Sequence, residues 1–315
     1  MKKSGVAIYV AAGAMLLSAS AFAQGEKDGQ GQAVVTIMPK HDGDQAPNLS
    51  TQDLTIKVNG KDTKVTNLES LRSATDPIEL VVLIDSSART SLGRQFEDIE
   101  QFVNTLPPNV RVTIGYMMNG NSNLTGPFTA DHAAVLRGLH LPIGGAGVDG
   151  SPYFCLSDLA KRWPSRETNV RREVVMVTDG VDEYERRYDP EDPYVQAAIN
   201  DALRAHLVVY SIYWTNRGRF DRSMYANNAG QNLLLAVTQA TGGKSFWEGM
   251  GNPVSFQPYF EELTRRFKNQ YELSFAVPMN GKPQIEQFKL KFKAPGSEVD
   301  SPEQVFVARQ GLAQD

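Results

Sequence analysis

Two aspartates that each follow a short apolar segment have the clearest chemical potential in this chain. Asp85 and Ser87 follow the apolar residues 80–84, and Asp179 follows a similar segment, residues 174–177. Carboxylate and hydroxyl oxygens suit Mg²⁺, Mn²⁺ or Ca²⁺, whereas Zn²⁺ prefers His and Cys, which are missing nearby. The pattern predicts a divalent-cation site if the two segments lie side by side.

Both apolar segments are predicted to be buried strands of a parallel sheet, since a short apolar segment that ends at a turn is typical of such strands. The chain after the first strand carries apolar side chains at helical spacing, which predicts an amphipathic helix: Leu92, Phe96, Ile99, Val103 and Leu106. Open α/β sheets bind ligands at the carboxyl ends of their strands. We therefore expect Asp85 and Asp179 to meet at one edge of a doubly wound, mostly parallel sheet.

Either aspartate alone has a simpler interpretation, because Asp commonly caps helices and occupies turns. Two acids at the ends of two strands favour the site over this alternative.

The order of these residues resembles that of the von Willebrand factor A (VWA) domain. In that family Asp-x-Ser-x-Ser, a Thr in a middle loop and an Asp-Gly pair form the metal-ion-dependent adhesion site. Residues 85–89 (DSSAR) match two of the three positions of the first motif, and Asp179-Gly180 matches the last. The resemblance covers about residues 77–270. It implies Asp85, Ser87 and Asp179 as metal ligands, with Ser151 as the best substitute for the family's Thr.

Arg89 occupies the position of the family's second metal-binding serine. A guanidinium group cannot coordinate a cation, and its charge is permanent. Two arrangements remain open. Arg89 points into the site and replaces the metal, or it points to solvent and leaves the oxygen ligands to a cation.

The N-terminus predicts an exported protein. Residues 1–23 combine Lys2 and Lys3, an apolar core and the sequence Ala-Phe-Ala, which is typical of a cleaved secretory signal; an uncleaved membrane anchor is the alternative. Residues 24–32 are polar and glycine-rich and are predicted to be a disordered leader, and residues 310–315 a tail. No later segment is apolar enough to span a bilayer. The expected location is secreted or periplasmic.

The segments that flank the α/β region carry strand patterns. Residues 33–76 and 271–309 contain short segments that alternate apolar and polar side chains; Asn59-Gly60 predicts a hairpin turn, and Asn280-Gly281 predicts a second turn. We expect both ends to pair into one β-sandwich-like domain into which residues 77–270 are inserted, a plan similar to that of exported bacterial proteins with a VWA-type domain. Two independent hairpins packed on the α/β domain are the alternative.

Tyr and Arg side chains in two long loops, together with Arg89, are candidates for contact with a protein partner, because both residue types are enriched at interfaces. The loop candidates are Tyr184, Arg186, Arg187, Tyr188, Arg219 and Tyr225. Ordinary solvated loops are the alternative interpretation.

Composition and motifs argue against several functions. The net charge of -4 and the pI of about 5.7 give no general attraction to nucleic acid. The four histidines form no metal or triad motif, and neither a G-x-S-x-G elbow nor a phosphate loop is present. A hydrolase or phosphatase is therefore disfavoured. Cys155, the single cysteine, is predicted to be a buried apolar residue.

The sequence thus predicts a non-enzymatic binding protein. The resemblance implies that an acidic side chain of the partner completes the coordination of the cation. Two alternatives stay open: metal-independent binding with Arg89 in place of the cation, and a structural role in the cell envelope.

Overall fold

The computed structural model describes residues 28–41, 49–73, 75–144, 147, 150–185, 189–215, 224–249, 251–279, 282–293 and 296–309. The predicted signal, residues 24–27 of the leader and the tail lie outside this range. In the described part the chain forms an α/β domain and an antiparallel β domain to which both ends contribute.

The chain enters through four strands of the β domain: β1 (Asp28–Pro39), β2 (Leu54–Val58), β3 (Lys61–Thr63) and β4 (Val65–Ser70). The α/β domain follows. Its strands are β5 (Ile78–Asp85), β6 (Val110–Met118), β7 (Asn121–Leu124), β8 (Arg171–Thr178), β9 (Leu207–Tyr213) and β10 (Ser245–Phe246). Its helices are α1 (Phe96–Thr105), α2 (His132–Leu136), α3 (Pro152–Lys161), α4 (Pro193–Arg204), α5 (Met224–Thr241) and α6 (Gln257–Phe267). The chain returns to the β domain with β11 (Gln270–Pro278), β12 (Gln284–Phe292), β13 (Ser297–Asp300) and β14 (Gln304–Arg309).

The α/β sheet has the order β10-β9-β8-β5-β6-β7. All its pairings are parallel except that of β7, which runs antiparallel to β6 at the edge. This is the doubly wound order with β5 and β8 at the centre, where the connections switch from one direction to the other. The predicted mostly parallel sheet is confirmed.

Strand β5 shows why the sequence has a continuous apolar segment there. All eight of its residues are buried, because helices cover both faces of the sheet. Leu80, Val82 and Ile84 face one hydrophobic core with α1 and α6. Val81 and Leu83 face a second core with α3, α4 and α5. The predicted first helix is correct from Phe96 onward, whereas Ser86–Gln95 forms a 3-10 helical segment.

The two ends of the chain pair as predicted. Strand β1 runs antiparallel to β11 from Asp28, opposite Pro278, to Thr36, opposite Gln270. The strand order is β3-β2-β12-β14-β1-β11-β4, with β13 also paired to β1. Strand β12 bonds to β14 with its first half and to β2 with its second half. The strands form one hydrogen-bonded path around one core, so the predicted β-sandwich-like domain built from both chain ends is supported in part.

The prediction of a disordered leader is wrong for residues 28–32, which belong to β1. The glycines in this segment serve close packing. A Cβ atom on Gly29 would lie 2.6 Å from Met279 Sδ, and one on Gly31 would lie 2.4 Å from a ring carbon of Phe275. Glycine in a strand can mark such a close approach of other atoms to the backbone. Composition alone does not distinguish a glycine that allows close packing from a glycine of a disordered segment.

A buried polar network joins the two domains at the edge of the sheet where strand β8 begins. The Gln270 amide at the start of β11 donates to Glu173 Oε1 at 2.9 Å, and Arg171 Nη1 donates to the Phe267 carbonyl oxygen at 2.8 Å. Burial raises the pKa of Glu173 to about 7, although Arg171 favours its charged form. The network fixes the β domain at the edge of the sheet opposite the strand-end aspartates.

Within the described residues, no helix is both long and apolar enough to span a bilayer.

Candidate functional site

Asp85 lies at the carboxyl end of β5, and both of its carboxylate oxygens accept hydrogen bonds. Oδ1 accepts a hydrogen bond from the Ser87 backbone N–H at 2.8 Å. Oδ2 accepts one from the hydroxyl of Thr178, the last residue of β8, at 2.6 Å. The structure thus brings the two predicted motifs together at one edge of the sheet, and Ser87 lies there in a partly buried position.

Asp179 follows β8 directly, and its Oδ1 accepts from the Val181 N–H at 3.1 Å. Two glycines let this loop pack against α5. A Cβ atom on Gly180 would lie 2.5 Å from the Gly230 carbonyl oxygen, and one on Gly230 would lie 2.2 Å from the Asp179 carbonyl oxygen. The conformation of Gly180, with φ of 68°, also favours glycine. The backbone that carries Asp179 is therefore held against the start of α5.

Ser151 is the N-cap residue of α3 and is only 2% exposed. A serine at this position usually accepts a hydrogen bond from the first turn of the helix, yet the Ser151 side chain makes no such bond. Its Oγ has no hydrogen-bond partner among the described residues.

A third acid, Asp182, joins the site. It is 1% exposed, and its Oδ1 accepts from the N–H groups of Tyr184 at 2.9 Å and Glu185 at 3.2 Å. Burial raises the pKa of Asp182, whereas those two N–H groups and the Ser151 hydroxyl lower it. Ser151 therefore lies close to the Asp182 carboxylate, although the two side chains do not meet the geometry of a hydrogen bond. In the sequence Asp182 is one of several charged residues of its loop and was not predicted as a site residue; the apolar Val181 before it is a local sign of its burial.

The hydroxyl of Tyr153 lies among the three acids. It is fully buried and donates to the Gly180 carbonyl oxygen at 2.7 Å. Burial raises the pKa of Tyr153 well above its ordinary value, and the negative charges of Asp182, Asp179 and Asp85 raise it further. The three acids are therefore close enough to this buried hydroxyl group to act on it electrostatically.

The oxygen atoms at this edge fit a hard divalent cation by type. Carboxylate and hydroxyl oxygens are the ligands such cations prefer, and the Ser151 oxygen is a buried polar atom that a bound cation would satisfy. Within the described residues, no group of three or more His, Cys, Asp and Glu side chains has a metal-binding arrangement. A cation at this edge would therefore depend on serine hydroxyls as well as carboxylates.

The predicted partner-binding residues are only partly described. Tyr184 is exposed, and its ring packs with Phe154 at 5.0 Å and Tyr194 at 5.5 Å between centroids. Tyr225 is exposed at the start of α5. The other loop candidates lie outside the described residues: Arg186, Arg187, Tyr188 and Arg219. The backbone of Arg89 lies in the 3-10 segment after β5, and its side chain is likewise outside what the structure describes.

Large hydrophobic side chains that are exposed in the described part share one location. They are Met118, Leu141, Ile143, Tyr184, Tyr194, Met224, Tyr225, Trp247 and Val254. All belong to the α/β domain, at a strand end, in a connection that leads into a helix or in a helix's first turn. Leu141, for example, lies against Gly93 in the segment after β5. These positions place the exposed side chains on the loop face of the domain, where the parallel strands end.

No protein-family model matches the sequence, and a comparison with curated proteins also finds no match. Several solved structures are similar at low identity. An aerotolerance-related membrane protein from Bacteroides fragilis is 14% identical with a TM-score of 0.43, over 60% of this chain and 98% of that one. The conserved hypothetical protein BatB from Bacteroides thetaiotaomicron is 17% identical with a TM-score of 0.43, over 61% and 99%. The vWF domain of the type V pili tip protein Mfa5 from Porphyromonas gingivalis is 13% identical with a TM-score of 0.43, over 61% and 95%.

The strand order, the antiparallel edge strand and the position of the two motifs after the central strands give the α/β domain a VWA-like fold.

Proposed function

We propose that this chain is an exported, non-enzymatic binding protein that holds a divalent cation at the edge formed by Asp85, Ser87, Ser151 and Asp179. The cation would be Mg²⁺, Mn²⁺ or Ca²⁺. An acidic side chain of a protein partner would complete its coordination.

The observation that carries this proposal is the bond between Thr178 and Asp85, since it brings the two motif strands into register at one edge. Asp179 follows Thr178 directly, so both acids and the Ser87 hydroxyl belong to the same loop face. Two isolated caps or turns would not require the two strand ends to be bonded to each other.

Hydrogen bonds from neighbouring groups of the chain orient both carboxylates before a cation binds. The N–H of Ser87 and the hydroxyl of Thr178 orient Asp85, and the N–H of Val181 orients Asp179. When bound, the cation supplies a positive centre with an open position for a partner's oxygen.

A protein is the proposed kind of partner because apolar side chains surround this edge. Tyr184 and Tyr225 offer exposed aromatic surface, and aromatic residues dominate the energetics of many protein interfaces. We extend the proposal to the other loop residues of the same type: Arg186, Arg187, Tyr188 and Arg219. Export through the segment of residues 1–23 is part of the proposal.

Calorimetric titration of Mg²⁺, Mn²⁺ and Ca²⁺ into the chelator-treated protein tests the proposal. Saturable binding that Asp179→Asn abolishes is the expected result. Asp62→Asn, a change of an exposed acid in the β domain, is the matched control and should bind as the wild type does. Absence of binding at millimolar metal would contradict the proposal.

A second variant, Arg89→Ser, addresses the alternative in which the guanidinium replaces the cation. It restores the second serine of the family's first motif. A protein that binds a cation only after this change would show that Arg89 occupies the site in the wild type.

A further inference from the structure

Ser151 and Asp182 form a pair of buried groups whose bonding is incomplete. Ser151 Oγ and Asp182 Oδ2 are both buried, and neither has a hydrogen-bond partner in the part of the chain that the structure describes. Buried polar atoms are almost always bonded, and an unbonded one costs about 1–3 kcal/mol. Two such atoms in neighbouring loops therefore need a physical reason.

The loops that carry the two residues are clamped together. The Glu183 N–H donates to the Gly150 carbonyl oxygen at 3.2 Å, directly beside Ser151. On the other side, the N–H groups of Tyr184 and Glu185 hold Asp182 Oδ1. These bonds fix the carboxylate in the loop and leave Oδ2 as its free acceptor. Because Glu183 follows Asp182 and Gly150 precedes Ser151, this backbone bond holds the two residues in neighbouring positions.

The chemistry of a hydroxyl ligand explains the pairing. A serine oxygen that binds a cation does so with a lone pair, so its proton must point to a different acceptor. Ser151 does not take the usual capping role at α3, which leaves its lone pairs free. Asp182 Oδ2 is an acceptor without a competing donor among the described residues.

We propose that Asp182 is a positioning residue that accepts a hydrogen bond from the Ser151 hydroxyl and thereby turns the Ser151 lone pairs toward the cation. The inference rests on the proposed function and adds a residue that the family motif does not contain. Asp182 acts through Ser151, in the way that residues hydrogen-bonded to metal ligands orient those ligands in other sites.

The test compares cation affinities of four proteins by calorimetry: wild type, Ser151→Ala, Asp182→Asn and the double variant. The amide oxygen of Asn can still accept the two loop N–H groups, while its NH₂ presents a donor to Ser151 in place of the acceptor. Substitution of a residue that hydrogen-bonds to a metal ligand usually lowers the metal affinity about 10–100-fold. We expect Asp182→Asn to lower the cation affinity by a factor in this range. The double variant should bind about as weakly as Ser151→Ala alone, since Asp182 then has no hydroxyl to orient.

Asp192→Asn is the matched control. Asp192 follows in the same loop region and caps α4 by accepting from the Tyr194 N–H at 2.8 Å, and Asn caps a helix about equally well. Its cation affinity should equal that of the wild type. Asp182→Ser is a second variant in case the Asn protein does not fold, because a serine hydroxyl can also accept from loop N–H groups but has no second oxygen for Ser151.

The possible outcomes separate the inference from the function on which it rests. A wild-type protein that binds no cation would overturn both. A wild type that binds, with Asp182→Asn equal to it, would overturn only the role of Asp182. Losses that add in the double variant would also overturn it, because they would show that Asp182 acts independently of Ser151.

Discussion

The hydroxyl of Thr178 donates a 2.6 Å hydrogen bond to Asp85 Oδ2, and this bond joins the carboxyl ends of β8 and β5. Both residues are buried, so the bond joins a hydroxyl to a carboxylate away from the protein surface. Hydrogen bonds to charged groups contribute about 1.5–3 kcal/mol.

Thr178→Val should therefore lower the free energy of unfolding by about 2 kcal/mol and weaken cation binding, because Asp85 loses one of the two bonds that orient it. Thr178→Ser keeps the hydroxyl and should lose much less. Urea denaturation and calorimetric titration measure the two effects. Equal affinities in the Val and Ser proteins would show that the bond does not orient the site.

Gly230→Ala tests the packing of α5 against the Asp179 loop. The new Cβ atom would meet the Asp179 carbonyl oxygen at 2.2 Å, so backbone must shift. Overpacking of this kind typically costs about 1–3 kcal/mol, and the shift should also reduce cation affinity. Gly126→Ala has open space around the new methyl group and serves as control. Unchanged stability and affinity in Gly230→Ala would contradict this account of the loop.

The buried Glu173 gives the protein a pH-dependent stability. Its pKa rises from 4.5 to about 7 on folding because burial disfavours the carboxylate. Between these values the folded protein keeps a proton that the unfolded chain has released, so this group's contribution falls as pH rises. The contribution of Glu173 to the free energy of unfolding falls by about 3 kcal/mol in total. This fall is complete above pH 7.

Glu173→Gln removes that titration and preserves an oxygen that can accept from the Gln270 amide. Compared with wild type, the variant should gain relative stability as the pH rises from 4.5 to 7. Urea denaturation at several pH values measures this difference. A constant difference between the two proteins over that range would show that Glu173 is charged in the folded protein throughout.

Two lysines of the β domain stand directly opposite each other, Lys57 on β2 and Lys289 on β12. Like charges in such a cross-strand pair are destabilising, and opposite charges stabilise by about 0.2–1 kcal/mol. Lys289→Glu should raise the free energy of unfolding by about this amount in low salt and by less in 1 M salt, where charges are screened. Lys282→Glu, outside the strand pair, should show a smaller effect. A loss of stability in Lys289→Glu would contradict the charge argument.

The sheet and its central acids were predictable because their signals are local in sequence. Buried parallel strands require continuous apolar segments, and Asp85 and Asp179 follow two of them directly. The pairing of β1 with β11 was predictable from alternation and turn residues in both chain ends. The start of β1 was not, since Gly29 and Gly31 read as flexible until their contacts with Met279 and Phe275 are known.

Other parts of the site depend on contacts between segments that are distant in the chain. Asp182 lies in a segment rich in acids, and only the clamp between Glu183 and Gly150 shows that it is buried beside Ser151. The role of Ser151 is similar, because an N-cap serine normally bonds to its own helix. The direction of the Arg89 side chain depends on rotamer and local charge, which no sequence pattern specifies.

Anomalous diffraction from crystals of the protein soaked in Mn²⁺ would locate a bound cation. We expect an anomalous peak at the carboxyl ends of β5 and β8, within coordination distance of Asp85, Ser87, Ser151 and Asp179. A map without a peak at this edge, and with the Arg89 guanidinium placed between the two aspartates, would contradict the proposed cation site.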